Sequence, residues 1–166
     1  MAAHSIGCAM PNIAKKTDDD QIKTIALICN TGISSTRDYH SKEQFHRHAR
    51  KFLRLLAEDI GLSSVDYDLR SNKGGPAVSG EVTLHSDRLY IQISHFGVTD
   101  ILLRSCNGRH DYTGGKNVFV SLQDISHQGK YRSLVDLVRF TGYPERRDWI
   151  VPNDLDRAPA FGRQRL

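Results

Sequence analysis

The chain has 166 residues, of which 39% are hydrophobic and 25% charged, a composition typical of one globular domain with a conventional core. Its net charge of +4 permits an acidic partner such as nucleic acid, although many proteins this basic bind none. Cys8, Cys29 and Cys106 are odd in number and widely spaced, which argues against a disulfide framework or a cysteine zinc site and indicates a reducing cytoplasm. No apolar run is long enough to span a membrane and no secretory leader is recognisable, so we expect no membrane association.

The first ordered element is predicted to begin near Thr17. Residues 1–16 are small and polar without periodicity, which predicts a mobile N-terminal arm. Three consecutive aspartates after Thr17, followed by apolar residues at helical spacing, predict a helix over about 18–29. The continuous apolar run at 25–29 is also compatible with a buried strand, and Asn30 with Gly32 is expected to end the element in either case.

The strongest helical pattern spans about 42–60, with Ser41 and Gln44 at the positions of a capping box and Gly61 after the last turn. One side of this helix is apolar and is expected to face the core. The opposite side carries four cations: Arg47, Arg50, Lys51 and Arg54. They indicate either a solvated face, with Glu43–Arg47 and Arg54–Glu58 pairs at the favourable offset, or an electrostatic footprint for phosphate.

Alternation of apolar and polar residues begins near Val65 and predicts the strands of a sheet. The predicted strands lie around Tyr67, over 78–84, over 89–94, over 101–106 and over 118–122. Short connections between them favour antiparallel neighbours and a meander with one polar face.

A last amphipathic helix is predicted over 131–141, ended by Gly142 and Pro144. The fold class is therefore expected to be α+β, a four- to five-stranded antiparallel sheet with helices packed on one face, namely those at about 42–60 and 131–141. The single domain would occupy residues 17–142. Residues 143–166 would form an extended strap or partly disordered tail, with possible anchors at Trp149, Ile150 and Phe161.

Two glycine-rich loops, at 71–75 and 107–117, each pair Gly-Gly with a lysine, Lys73 in the first and Lys116 in the second. Glycines allow close approach of the backbone to a ligand, so either loop is a candidate cradle for phosphate. Neither loop matches a P-loop or a dinucleotide fingerprint, and tight turns explain the same residues.

The second loop also contains Arg109, His110, Asp111 and Tyr112, residue types that occur in acid–base sites. Adjacent side chains diverge, so a catalytic pair would need a residue from another strand, such as Glu81, His85 or Arg104. No nucleophile or metal-binding motif is present. The two-residue spacing of His46 and His48 does not suit a helical metal site, so we expect both to be surface or boundary histidines. We therefore assign no catalytic residue, metal or cofactor.

The patterns KGGPAVSGEVTLHSDRLYIQIS, at 73–94, and LLRSCNGRHDYTGGKN, at 102–117, resemble small uncharacterised proteins of bacterial plasmids, prophages and integrated elements. The residues that carry the resemblance are Lys73, Gly74, Gly75, Gly80, Glu81, Leu84, His85, Tyr90, Gln92, Arg104, Cys106, Gly108, Arg109, Asp111, Tyr112, Gly114 and Asn117. The resemblance implies the setting of a mobile element in a bacterial cytoplasm, and it brings no established activity.

The leading functional hypothesis is a non-enzymatic, nucleic-acid-associated accessory protein of a mobile element. Its predicted phosphate-binding residues are Lys73, Arg104, Arg109, His110, Tyr112, Lys116, Arg47, Arg50, Lys51 and Arg54. The first alternative is a protein-binding inhibitor or adaptor acting on a host or plasmid protein through the polar sheet face or the aromatic tail. The second is a small phosphoesterase or nuclease that uses His110 and Asp111.

Overall fold

A computed structural model describes residues 12–35, 38–111 and 113–144, with side chains from Thr17 onward. Predictions about residues 1–11, Tyr112 and the tail from 145 to 166, including Trp149, Ile150 and Phe161, lie outside the described residues.

Within those ranges the chain forms four helices and five strands. In chain order they are α1 (Asn12–Ser34), α2 (Tyr39–Asp59), β1 (Tyr67–Asn72), β2 (Glu81–Ser86), β3 (Leu89–Phe96), β4 (Val98–Ser105), β5 (Val118–Ser121), α3 (Leu122–Gln128) and α4 (Tyr131–Gly142). The strands form one open sheet in the order β1-β2-β3-β4-β5, with every neighbouring pair antiparallel. The predicted α+β fold with an antiparallel sheet is confirmed.

The alternation of the strands separates a buried inner face from a polar outer face. In one row of the register Leu84 lies opposite Ile91, which lies opposite Leu103, and all three are fully buried. The next row on the outer face contains Thr83 and Gln92, which are half-buried. Successive residues of a strand point to opposite faces, so this pattern follows directly from the sequence.

The second strand begins later than predicted. Val78 and Ser79 were expected in it, but β2 starts at Glu81 because residues 77–80 form a turn. The Gly80 N–H donates to the Ala77 carbonyl at 3.0 Å, and Gly80 has φ of +79°. A positive φ is incompatible with a continuous strand, so the alternation across this turn was misleading.

Helix α1 is longer than the predicted 18–29 in both directions, and the alternative of a buried strand is wrong. Its backbone includes residues 12–16, which the prediction placed in the arm, and it continues through Asn30 and Gly32 to Ser34. Gly32 does not end the helix and packs closely against β3 and β4, where a Cβ would lie only 3.1 Å from the Thr99 hydroxyl and 3.2 Å from the His95 ring. Tertiary packing here overrides the local signal for a helix end.

Helix α2 begins three residues before the predicted start, because its N-cap is Asp38 and not Ser41. The Asp38 carboxylate accepts hydrogen bonds from the backbone N–H groups of His40 and Ser41 at 3.0 and 3.1 Å. Ser41 therefore lies inside the first turn. At the other end Gly61 follows the helix with φ of +82°, as the prediction required.

Helix α3 was not predicted. Its N-cap Ser121 accepts from the backbone N–H of Asp124 at 3.3 Å, and Gly129 ends it in the left-handed conformation. Its seven residues are too few to show helical periodicity, and Leu122 was expected to be the last residue of β5. Helix α4 agrees with the predicted 131–141.

The inner face of the sheet is covered by a layer of helices in which α1 contacts α2, α3 and α4 as well as β3 and β4. The prediction named only α2 and α4 as the cover and omitted α1. Tyr131 joins the layer: its ring meets Phe52 at 6.2 Å between centroids, and its hydroxyl accepts from Gln21 and donates to Asp59. In the described part of the chain, none of the helices has the length and apolar character needed to cross a bilayer.

Candidate functional site

Residues 106–117 form the loop between β4 and β5 and fold back onto the end of β4. The Cys106 N–H donates to the Arg88 carbonyl at 3.0 Å, which extends the pairing of β3 with β4 into the loop. Gly115 has φ of +49°, and a Cβ at this position would lie 2.5 Å from the Ser105 carbonyl oxygen. The Gly-Gly pair therefore has a structural reason, which is the close packing of this turn on β4.

Next to this loop, four residues in register lie side by side on the outer face of the sheet: Asp68, His85, Tyr90 and Arg104. The His85 ring meets the Tyr90 ring edge-on, with 5.4 Å between centroids, and the Arg104 guanidinium lies 6.0 Å from the centre of the same ring. The Tyr90 hydroxyl donates to Gln92 Oε1 at 2.8 Å. The row combines an aromatic ring with a guanidinium in the geometry of a cation–π contact.

The loop covers the histidine of this row. His85 is only 6% exposed, and burial lowers its pKa below the ordinary value, with a smaller lowering from His110. Hydrogen bonds from Thr113 lower the pKa of Asp111, and Arg104 and His85 add to this. His110 and Asp111 thus lie near enough to His85 for an electrostatic effect, whereas Glu81 lies at the other end of β2.

Two of the predicted loop cations already have partners. Arg109 donates to the Val65 carbonyl at 3.0 Å and lies 3.5 Å from the Asp87 carboxylate. Lys73 pairs with Glu43 at the start of α2 and lies 5.8 Å from the Tyr39 ring centre. In the loop itself, His110 and Lys116 are exposed. Arg109 and Lys73 thus attach loops to neighbouring elements, which accounts for them without a ligand.

The exposed side of α2 has a different character. Arg47, Lys51 and Arg54 are exposed and have no carboxylate partner within residues 38–111. Neither of the two predicted ion pairs is formed. Glu43 binds Lys73 instead of Arg47, and Arg54 does not pair with Glu58. We call these three residues with Arg50 the α2 basic face.

Arg50 connects this face to the edge of the sheet. Its guanidinium donates to the Leu69 carbonyl at 3.3 Å and to the Ser71 hydroxyl at 3.2 Å. On the outer face, Asp68 of the same strand lies beside His85. The predicted binding residues therefore form two groups with β1 between them, the α2 basic face and the group around Arg104 and the loop, and not one continuous surface.

A buried polar cluster at the other end of the sheet was missed. The fully buried Ser79 donates from its hydroxyl to the Gly32 carbonyl at 3.0 Å and contacts the Ser35 hydroxyl. Its carbonyl lies 2.8 Å from Nε2 of His46. His46 was predicted to be a surface or boundary histidine, but it is 3% exposed, and burial lowers its pKa.

The burial of His46 could have been predicted from the sequence. His46 follows Phe45 and precedes Ala49 by three residues, which places it on the apolar side of α2. The cluster fixes residues 77–80 to both α1 and α2. It is therefore a structural feature that holds the loop after β1 in place.

An open depression of about 380 Å³ lies where the β2–β3 turn, the end of β4 and the last turn of α4 meet. Asp87 and Arg88 contribute opposite charges to its wall, and Cys106, whose pKa is raised by burial, also lines it. In the described ranges, no three His, Cys, Asp or Glu side chains are placed to hold a metal ion.

No protein-family profile, curated protein or solved structure matches this chain.

Proposed function

We propose that the protein binds nucleic acid through backbone phosphates, with the α2 basic face as the principal contact. The observation that carries the proposal is a set of exposed cations that have no carboxylate partner among the described residues: Arg47, Lys51 and Arg54. A cation that already pairs with a carboxylate adds little to the affinity for nucleic acid. A cation without such a partner can neutralise a phosphate and release the counterions condensed on the nucleic acid, which favours binding.

The spacing of these cations supports the proposal. Residues at offsets of four and three lie on one side of a helix, and the seven-residue span from Arg47 to Arg54 covers about 10 Å at 1.5 Å per residue. One strand of a duplex presents a phosphate about every 3.4 Å along its axis, so the row matches the spread of successive phosphates. Contacts of this kind position a protein on nucleic acid but carry no sequence information.

The loop residues Arg104, Arg109, His110, Tyr112 and Lys116 form a second part of the proposal. Lys116 is the better candidate for phosphate, since Arg109 is held by Asp87. The setting in a bacterial mobile element rests on the resemblance of residues 73–94 and 102–117, and we keep it as part of the proposal.

A salt titration of binding to single- and double-stranded DNA and RNA tests this function. Replacing Arg47, Lys51 and Arg54 together with Gln is expected to weaken binding and to reduce the slope of log K against log salt by about 0.9 for each phosphate that the protein no longer neutralises. The single variant Lys51→Gln has a matched control in Lys23→Gln. This control also removes one exposed lysine, but from α1, and it leaves α2 unchanged. Arg109→Ala and Lys116→Ala test the loop separately.

A wild-type protein without affinity for any of these nucleic acids at low salt would contradict the proposal. The protein-binding alternative would then stand in its place. One observation favours that alternative: Phe119 lies 59% exposed on the outer sheet face, opposite Leu102 of β4. Exposed aromatic side chains are common anchors of protein interfaces. Nothing specific favours the phosphoesterase hypothesis.

A further inference from the structure

Among the residues that the structure describes, β1 is an edge of the sheet, since it pairs with β2 on one side and with no strand on the other. We propose that a second copy of this chain pairs with it in antiparallel fashion, Leu69 opposite Leu69, so that the two sheets continue into one another. The pairing does not require the proposed function, although Arg50 of the α2 basic face lies at the same edge. An edge strand presents unpaired N–H and C=O groups that another strand can use.

The N–H and C=O groups of Leu69 point away from β2, as this register requires. Alternate residues of an antiparallel strand direct their backbone groups to one neighbour and then to the other. The Leu69 carbonyl accepts a hydrogen bond from Arg50, whereas the Asn72 carbonyl points towards Gly80 at the start of β2. The backbone groups of Tyr67, Leu69 and Ser71 therefore point away from β2. A carbonyl oxygen can accept two hydrogen bonds, so Arg50 does not have to leave Leu69.

The charges of β1 identify the occupant as a second copy. Asp68 and Arg70 flank Leu69, and the side chains of both reach solvent on the outer face, where their carboxylate and guanidinium groups lie 3.7 Å apart. In a symmetric pair centred on Leu69, Asp68 of each copy lies opposite Arg70 of the other. These are non-hydrogen-bonded positions, at which side chains of neighbouring strands approach most closely. The sequence Asp-Leu-Arg is thus complementary to itself in this register.

The helix layer leaves room for the second copy. Helix α2 packs above β2. Across the paired edges the two β2 strands would be separated by three strand spacings, about 14 Å in total. Directly packed helices lie about 8–10 Å apart, so the two α2 helices would not collide.

Sedimentation equilibrium of the full chain at low ionic strength, over a range of protein concentrations, tests the pairing. Wild type is expected to approach twice the mass of one chain as the concentration rises. Asp68→Arg and Arg70→Asp each place two like-charge pairs at the interface, and each is expected to weaken self-association by about tenfold or more. An equimolar mixture of D68R and R70D chains restores opposite charges at both positions and is expected to form a heterodimer about as tight as the wild-type pair.

Matched controls come from the exposed pair of Asp20 and Lys23 on α1. Asp20→Arg and Lys23→Asp make the same changes in net charge far from β1 and are expected to leave association unchanged. Far-UV circular dichroism is used to test whether each variant is folded.

Three results would overturn the proposal. The first is a wild-type chain that is monomeric up to about 1 mM, the range of the weakest specific pairs. The second is a dimer that D68R and R70D leave intact, which would use another surface. The third is loss of association in both variants without recovery in their mixture, which would exclude this register.

Discussion

At the scale of single residues, Gly80 and Gly61 have nearly the same backbone conformation in different surroundings. Their φ angles are +79° and +82°. A Cβ on Gly80 would lie 2.3 Å from the Asn72 carbonyl oxygen, whereas a Cβ on Gly61 would have no neighbour within 4 Å. The pair separates the cost of a left-handed backbone from the cost of a steric clash.

Gly80→Ala is therefore expected to destabilise the protein much more than Gly61→Ala. The left-handed conformation alone costs a residue with a Cβ about 1–2 kcal/mol, and this is the expected effect at Gly61. At Gly80 the backbone of Asn72 must also move, so we expect a loss of about 3 kcal/mol or more in the free energy of unfolding. Urea denaturation of both variants measures the difference, and equal losses would contradict the packing seen at Gly80.

At the scale of secondary-structure elements, α2 connects most of the features described above. Its apolar side contributes Phe45, Phe52 and Leu56 to the core, and its exposed side forms the α2 basic face. Its start is fixed by Asp38, whose pKa is lowered by the hydrogen bonds with Ser41 and His40. The position of this cap determines where the helix begins relative to Glu43 and Lys73.

Asp38→Ala is expected to lower the free energy of unfolding, because two N–H groups of the first turn lose their acceptor. Asp38→Asn retains a side-chain oxygen and is expected to cost much less. Ser41→Ala provides the comparison for the capping box predicted from the sequence. If Ser41→Ala were the more harmful change, the cap would lie at Ser41 after all. Chemical denaturation at neutral pH measures all three.

At the scale of the whole molecule, buried histidines connect stability to pH: His85, whose pKa burial lowers as described above, and two others, His46 and His95. His46 lies between α2 and the loop at 77–80, and His95 Nδ1 lies 2.8 Å from the Thr99 hydroxyl on the β3–β4 hairpin. Burial is the main cause that lowers the pKa of both. Lys73 and Lys42 lower the pKa of His46 further, while Glu43 raises it and Asp100 raises that of His95.

Stability is therefore expected to fall as the pH drops below the ordinary histidine value of about 6.5. The unfolded chain then binds protons that the folded chain excludes, so the stability contributed at higher pH is lost. Each such histidine changes the free energy of unfolding by at most about 1.4 kcal/mol per pH unit. Urea titrations from neutral to mildly acidic pH measure the slope.

His95→Gln is expected to make this pH dependence shallower. His127→Gln is the control for the removal of one histidine, because His127 is exposed at the end of α3. A stability that stays constant as the pH falls below about 6.5 would show that none of the buried histidines resists protonation.

The secondary-structure pattern of the sheet was determined by the sequence alone. Alternation at Leu84, Ile91 and Leu103 identified the strands and their buried face, since the two-residue period is a local property of the chain. The short turn at Asp87 and Arg88 required antiparallel neighbours for the same reason. The basic side of α2 was also readable, because the helical period places its four cations together.

Only the tertiary structure decided which of these charges remain free. Lys73 and Glu43 are thirty residues apart, and Arg109 and Val65 are forty-four apart, so no local pattern reveals that they meet. The same holds for the burial of His46 under Ser79 and for the continuation of α1 through Gly32. Local spacing determines which way a side chain points from its own element, whereas long-range packing determines what it contacts there.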